Sequence, residues 1–155
     1  MELNLNNKTA LITGASKGIG KAIAESMANE GCNLILTARS TDKLNELKVN
    51  LQKKHNISVE VIALDLSEKN AVEKVSDFCG EIDILINNAG AIPPGSISDI
   101  NEDTWRNAWD LKVFGYINLT RLIYNKMKNI KKGVILNIIG SAGQKPMYNY
   151  IAGTT

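Results

Sequence analysis

Soft metal ligands and cross-linking thiols are nearly absent from this chain, which has 2 Cys and 1 His in 155 residues. Two thiols make no disulfide framework, and with one imidazole they leave too few ligands for a zinc site. Cys32 and Cys79 therefore read as reduced thiols of a cytoplasmic protein. Proline is sparse at 3 residues and glycine ordinary at 12, which excludes collagen-like and low-complexity sequence. The first residues, Met1-Glu2-Leu3-Asn4, lack the basic and apolar regions of a signal peptide. No apolar run approaches the ~18 residues that a membrane span needs. Charge of one sign is missing too. The balance is 18 basic against 16 acidic residues, a net +2, which points to neither nucleic acid nor an anionic membrane. What is present is ordinary globular usage, 44% apolar and 22% charged, enough to bury a core.

The organisation is an alternation. Apolar runs at 9–13, 33–38, 58–64, 82–87 and 134–139 are rich in Ile, Val and Leu. Between them, 18–30, 41–55, 67–78 and 103–128 are rich in helix formers. Runs apolar on both faces suit strands covered on both sides, as in a parallel sheet. Strand–helix alternation of this kind predicts an α/β fold with a doubly wound parallel sheet.

The first strand leads into Thr13-Gly14-Ala15-Ser16-Lys17-Gly18-Ile19-Gly20 and then a helix. Glycines there permit a tight turn and close approach of backbone to a pyrophosphate, whose charge faces the N–H groups of the helix start. A plain strand–helix turn also uses glycine, but this one lies at the first strand–helix junction, where the ligand crevice of such folds opens. A carboxylate about 20 residues past the glycines would favour NAD. The residue found there is Arg39, after Thr37-Ala38. A guanidinium grips a 2′-phosphate with paired donors, and Lys17 adds a second cation, so the pattern favours NADP.

After the fourth strand stands Asn87-Asn88-Ala89-Gly90, and after the third Asp65-Leu66. Two amides and a glycine at a strand end can hold a crevice open with side-chain bonds. Taken with Thr13–Gly20, these motifs make the whole chain resemble the short-chain dehydrogenase/reductase family. The resemblance implies a Rossmann-type fold and a nicotinamide-dependent oxidoreductase acting on a small-molecule carbonyl or alcohol. It implies that Gly14, Ser16, Lys17, Gly18, Ile19 and Gly20 line the phosphates, and that Arg39 takes the 2′-phosphate. Asp65 and Leu66 would meet the adenine, and Asn88 and Gly90 would flank the ribose near the nicotinamide.

The catalytic positions depart from the pattern. The family's tetrad is Asn, Ser, Tyr and Lys, with the last two spaced YxxxK. Tyr150 matches the Tyr, but Thr154 stands where the Lys belongs. Gly140 takes the Ser position, with Ser141 one residue later, and Lys112 takes the Asn position. A tyrosine working as acid/base near neutral pH needs its pKa lowered from ~10, and ~3 units represent about 4 kcal/mol. Lys112 could supply the missing positive charge and Ser141 the hydroxyl that positions the substrate. Equally, Lys112 is a snorkelling helix lysine and Ser141 a loop serine. The loss of three tetrad residues also leaves open a second class, a catalytically inactive dinucleotide-binding sensor or interaction protein.

Other features read as structure. Trp105, Trp109, Val113 and Ile117 step by four along one helix, a core or interface stripe. In the family this helix often packs on a partner subunit, so the resemblance implies a homo-oligomer. The basic excess around it, Arg106 to Lys132, reads as a solvated face. His55 sits at an expected helix end. The family's domain runs to about 250 residues, which fits a single domain. Residues 1–155 therefore read as its cofactor-binding part, incomplete at the C-terminus. A product of these residues alone is expected to be poorly soluble, because a sheet ending at its fifth strand leaves an apolar edge and face uncovered.

Overall fold

In the computed structural model, which describes residues 3–154, the five apolar runs form one parallel sheet. The strands are β1 (Thr9–Thr13), β2 (Asn33–Ala38), β3 (Val59–Ala63), β4 (Ile84–Asn87) and β5 (Val134–Asn137), in the order β3-β2-β1-β4-β5. The double-sided apolar pattern has the expected cause. In β1, Ala10 and Ile12 face one core with Ala24, Ala28, Leu44 and Leu51, from α1 (Gly18–Asn29) and α2 (Thr41–Lys54). Leu11 faces the other, with Val75 from α3 (Ala71–Phe78) and Leu119 and Ile123 from α5 (Gly115–Ile130). Every second residue thus serves the opposite layer, which a sheet wound on both faces requires.

The chain reverses its direction of sheet growth between β1 and β4, and at such a switch point the connections diverge and leave a crevice. The last strand is built differently. In β5, Val134 and Leu136 are 60% and 48% exposed, against none for Leu11 and Ile12.

Two helical expectations need correction. Ser67–Asn70 is not helix. Asp65 Oδ1 accepts from Ser67 N (3.0 Å) and Ser67 Oγ (2.7 Å), a local turn that competes with helix, and Asn70 adopts a left-handed φ of 62°. The long fourth helix is three pieces: α4 (Glu102–Trp109), a π-turn over Asp110–Phe114, and α5. Asn101 caps its start, Oδ1 accepting from Thr104 N at 2.9 Å. The stripe of Trp105, Trp109, Val113 and Ile117 is not core. The first three are half-buried, Ile117 is 49% exposed, and the buried positions are Tyr116, Leu119, Ile123 and Met127. Steps of four drift around a helix of 3.6 residues per turn, so the end of the stripe leaves the core side. No helix among the described residues is long and apolar enough to cross a membrane.

Candidate functional site

The glycine turn sits on the C-terminal end of β1, held by the end of β4. Thr13 Oγ1 accepts from the N–H groups of Asn88 and Ala89, both at 2.9 Å. Asn88 Nδ2 donates to Thr13 O at 2.9 Å and Gly14 O at 3.4 Å. Asn87 works on the other side, its Nδ2 donating to Asn137 Oδ1 (2.8 Å) on β5 and Thr120 Oγ1 (3.0 Å) on α5. Of the paired amides, Asn88 ties the glycine turn to the end of β4, and Asn87 ties β4 to β5 and α5.

Gly14 has a left-handed φ of 67°, and a Cβ there would lie 2.9 Å from Ala89 Cα. Gly18 (φ 55°) faces open space, so the turn presents bare backbone to the cleft. A cavity of about 470 Å³ lies over it, lined by Gly14, Ser16, Lys17, Gly18, Ile19, Arg39, Asp65, Leu66, Asn88 and Gly90. Of the cofactor residues expected from sequence, only Gly20 is not on that lining. It is buried under the turn, where a Cβ would meet Gly14 O at 2.3 Å, so its smallness lets α1 dock. Lys43, in the first turn of α2, lines the same cavity near Arg39 and was missed. A cation soon after Arg39 at a helix start was the available signal.

Arg39 Nη1 stands 3.6 Å from Asp65 Oδ2. Burial alone would raise the Asp65 pKa, but bonds from Ser67 and the Arg39 charge outweigh it and hold the carboxyl below its ordinary value. The wall thus combines the N–H groups of a helix start, a bare glycine backbone and three cations, Lys17, Arg39 and Lys43, a set that suits an anionic ligand.

A second cavity of about 610 Å³ adjoins the first and shares Ile19, Asn88, Gly90 and Ala91 with it. Its other walls include Trp109, Lys112, Val113, Tyr116, Ile138, Ile139, Gly140, Tyr150 and Gly153. Tyr150 is held at its backbone: Gly95 N donates to Asn149 O (2.7 Å), and Ile151 N to Gly95 O (3.1 Å). Its ring lies against Gly153, where a Cβ would come within 2.1 Å of Tyr150 Cε1. Trp109 Nε1 donates to Ala152 O at 3.2 Å, tying α4 to α6 (Ile151–Thr154). Thr154 Oγ1 turns back to Ile151 O at 2.9 Å.

Lys112 is in this cavity, inside the π-turn, a distortion that often marks functional positions. Its ammonium does not bond Tyr150. It donates to Tyr116 Oη and to Ile138 O, both at 2.6 Å, and Tyr116 Oη donates to Ile138 O at 3.2 Å. Burial lowers the Lys112 pKa and raises that of Tyr116 far above its ordinary value, so this phenol stays protonated. Tyr116 was not anticipated, although the i, i+4 spacing from Lys112 placed the two side by side. Ser141 is exposed at the head of a short 3₁₀ turn and is not on the lining, whereas Gly140 is.

Comparison with known proteins adds a match to the short chain dehydrogenase family over residues 8–154. The uncharacterized oxidoreductase YvaG of Bacillus subtilis is 35% identical over all of this chain and 60% of its own length. NADPH-dependent reductase BacG of the same organism is 31% identical over 94% of this chain and 58% of its own. The crystal structure of L-sorbose reductase from Gluconobacter frateurii, complexed with NADPH and L-sorbose, superposes with a TM-score of 0.91 at 33% identity. It covers 99% of this chain and 60% of that one. The chain thus spans about 60% of the length of such relatives.

Proposed function

The chain belongs to the short-chain dehydrogenase family, and from that premise we propose that it binds NADP(H) in the cleft over β1 and β4 and interconverts a carbonyl and an alcohol in the adjoining cavity. The observation that carries this reading is the continuity of the two cavities through Ile19, Asn88, Gly90 and Ala91. On this reading a dinucleotide lying along the glycine turn ends at the mouth of the space that holds Tyr150. When bound, the nicotinamide supplies or accepts the hydride. Everything else falls to this chain.

Gly14, Ser16, Gly18 and Ile19 offer backbone to the phosphates, with Lys17 beside them. Arg39 and Lys43 take the 2′-phosphate. The Arg39–Asp65 pair that must loosen is long and half in water, so releasing it costs less than about 1 kcal/mol. Asp65 and Leu66 border the adenine. Tyr150 Oη gives a proton to the carbonyl oxygen in reduction and removes it in oxidation. Among the described residues, Lys112 is the one formally charged residue on the cavity wall. Its ammonium acts through space rather than through a direct bond, adding positive potential that favours phenolate and alkoxide. Phe114, Ile117 and Tyr124 leave exposed apolar surface along the π-turn and α5, the face through which we infer self-association.

The test is NADPH binding by fluorescence titration, followed by NADPH oxidation over a panel of aldehydes and ketones. Binding with turnover on at least one carbonyl is the expected result. Tight binding with none would favour the sensor, which the missing Lys at 154 and the glycine at 140 support.

A further inference from the structure

Charged side chains withdrawn from water normally sit beside an opposite charge. Lys112 does not. It is half-buried, it forms no ion pair among the described residues, and no carboxylate lines its cavity. Two neutral oxygens fix it, Tyr116 Oη and Ile138 O, and they consume two of the three N–H bonds of an ammonium. One N–H and the whole formal charge remain for something else. The stem runs close over Gly90, where a Cβ would lie 3.0 Å from Lys112 Cδ.

The surrounding wall narrows what that something is. Trp109, Val113, Ile139 and Tyr150 offer aromatic and branched apolar surface, and no second cation faces the space. A single ammonium with one free donor matches a singly charged group. A phosphate would bring more charge and more acceptors than this wall can answer. Such a site, apolar with one placed polar group, suits a small ligand with an apolar body and one anionic end.

We propose that the carbonyl substrate carries a carboxylate, which pairs with Lys112, while Tyr116 acts as the positioning residue that holds the ammonium. The inference rests on the second cavity being the substrate site. It also separates two effects of one lysine. With a neutral ketone the ammonium's field is available to Tyr150, so its loss lowers kcat. With a carboxylated ketone the charge is taken up by the substrate, so its loss raises KM.

The test compares 4-acetylbenzoate with 4-acetylbenzamide, which share the reacting ketone and differ in charge, under saturating NADPH and with the whole chain. The expected kcat/KM is at least about tenfold higher for the benzoate, mainly through KM. Lys112→Met erases that preference, Lys112→Arg keeps most of it, and Tyr116→Phe reduces it. Equal kcat/KM for the two ketones in the unmodified protein overturns the inference without any variant, so misfolding cannot mask the result. A preference that persists in Lys112→Met overturns it too. Calorimetry of benzoate against benzamide with the NADP-saturated protein makes the same comparison without turnover. Lys112-dependent benzoate binding with no reaction on either ketone would sink the oxidoreductase reading and uphold the carboxylate site. Equal turnover of both ketones with equal binding of both probes would do the reverse.

Discussion

Around the glycine turn the walls are main chain packed to contact, whereas around Tyr150 they are side chains meeting from segments far apart in sequence. Gly20 shows the first kind: a Cβ would strike the carbonyl oxygen of Gly14 at 2.3 Å, and neither backbone can step aside. Gly153 shows the second, where the obstacle is the ring of Tyr150, a side chain free to swing. The glycine turn therefore tolerates little added bulk, and the cavity around Tyr150 tolerates more. Two of the three departures from the family's tetrad, Lys112 and Gly140, line that cavity, while the glycines of the turn keep the family's pattern.

The largest effect should come from forcing a side chain into the first region. Gly20→Val is expected to cost about 3 kcal/mol or more, read as a fall in melting temperature of about 10 °C and loss of NADPH binding. Tyr150→Phe should leave folding and NADPH affinity unchanged while kcat falls by about 10² or more. If NADPH affinity fell with it, the two regions would not be separable as drawn. Arg39→Ala should weaken NADPH by about tenfold to a hundredfold and leave NADH unaffected, since one charge-assisted pair is worth about 1.5–3 kcal/mol. Gly153→Ala should sharpen the contrast with Gly20. The Tyr150 ring moves, turnover drops several-fold, and stability changes by only about 1 kcal/mol.

The same contrast explains what was legible beforehand. The doubly wound parallel sheet followed from apolar runs alternating with helix-forming segments, whereas the order β3-β2-β1-β4-β5 came only with the structure. The cleft residues from Gly14 to Gly90 were named through the family resemblance of their motifs, and all but Gly20 line the cavity. The π-turn could not be seen, because an extra residue in a turn leaves helix-forming composition unchanged. Nor could the bonds of Lys112 be assigned. Its target was expected to be Tyr150, but the i, i+4 neighbour Tyr116 and the carbonyl of Ile138 compete from closer range. Ser141 failed to reach the lining for a related reason, since one residue's displacement along an irregular loop changes which way a side chain faces.

The smallest expected effect compares the two ends of the sheet. Asp83, at the end opposite the cleft, accepts from Thr9 N at 3.1 Å and pairs with Lys132 (3.2 Å) and Lys8 (3.5 Å). Burial pushes its pKa up, but these partners push it down further, so the folded value lies below the unfolded one near 3.9. A carboxyl of this kind adds stability above its unfolded pKa and loses it as pH falls through the folded value. Asp65 has the same sign, from Ser67 and Arg39. Each contribution is under about 1 kcal/mol in a partly exposed setting. Asp83→Asn should therefore lower the melting temperature by up to about 3 °C at pH 7, with the effect fading as pH falls through the folded pKa, and leave NADPH affinity alone. Asp65→Asn should show the same pH dependence of stability. It should also change NADPH affinity, because Arg39 is then freed from a competing carboxylate at the mouth of the cleft. An equal effect of both variants on the cofactor would show that the far end of the sheet is coupled to the site and that the division between the two ends does not hold.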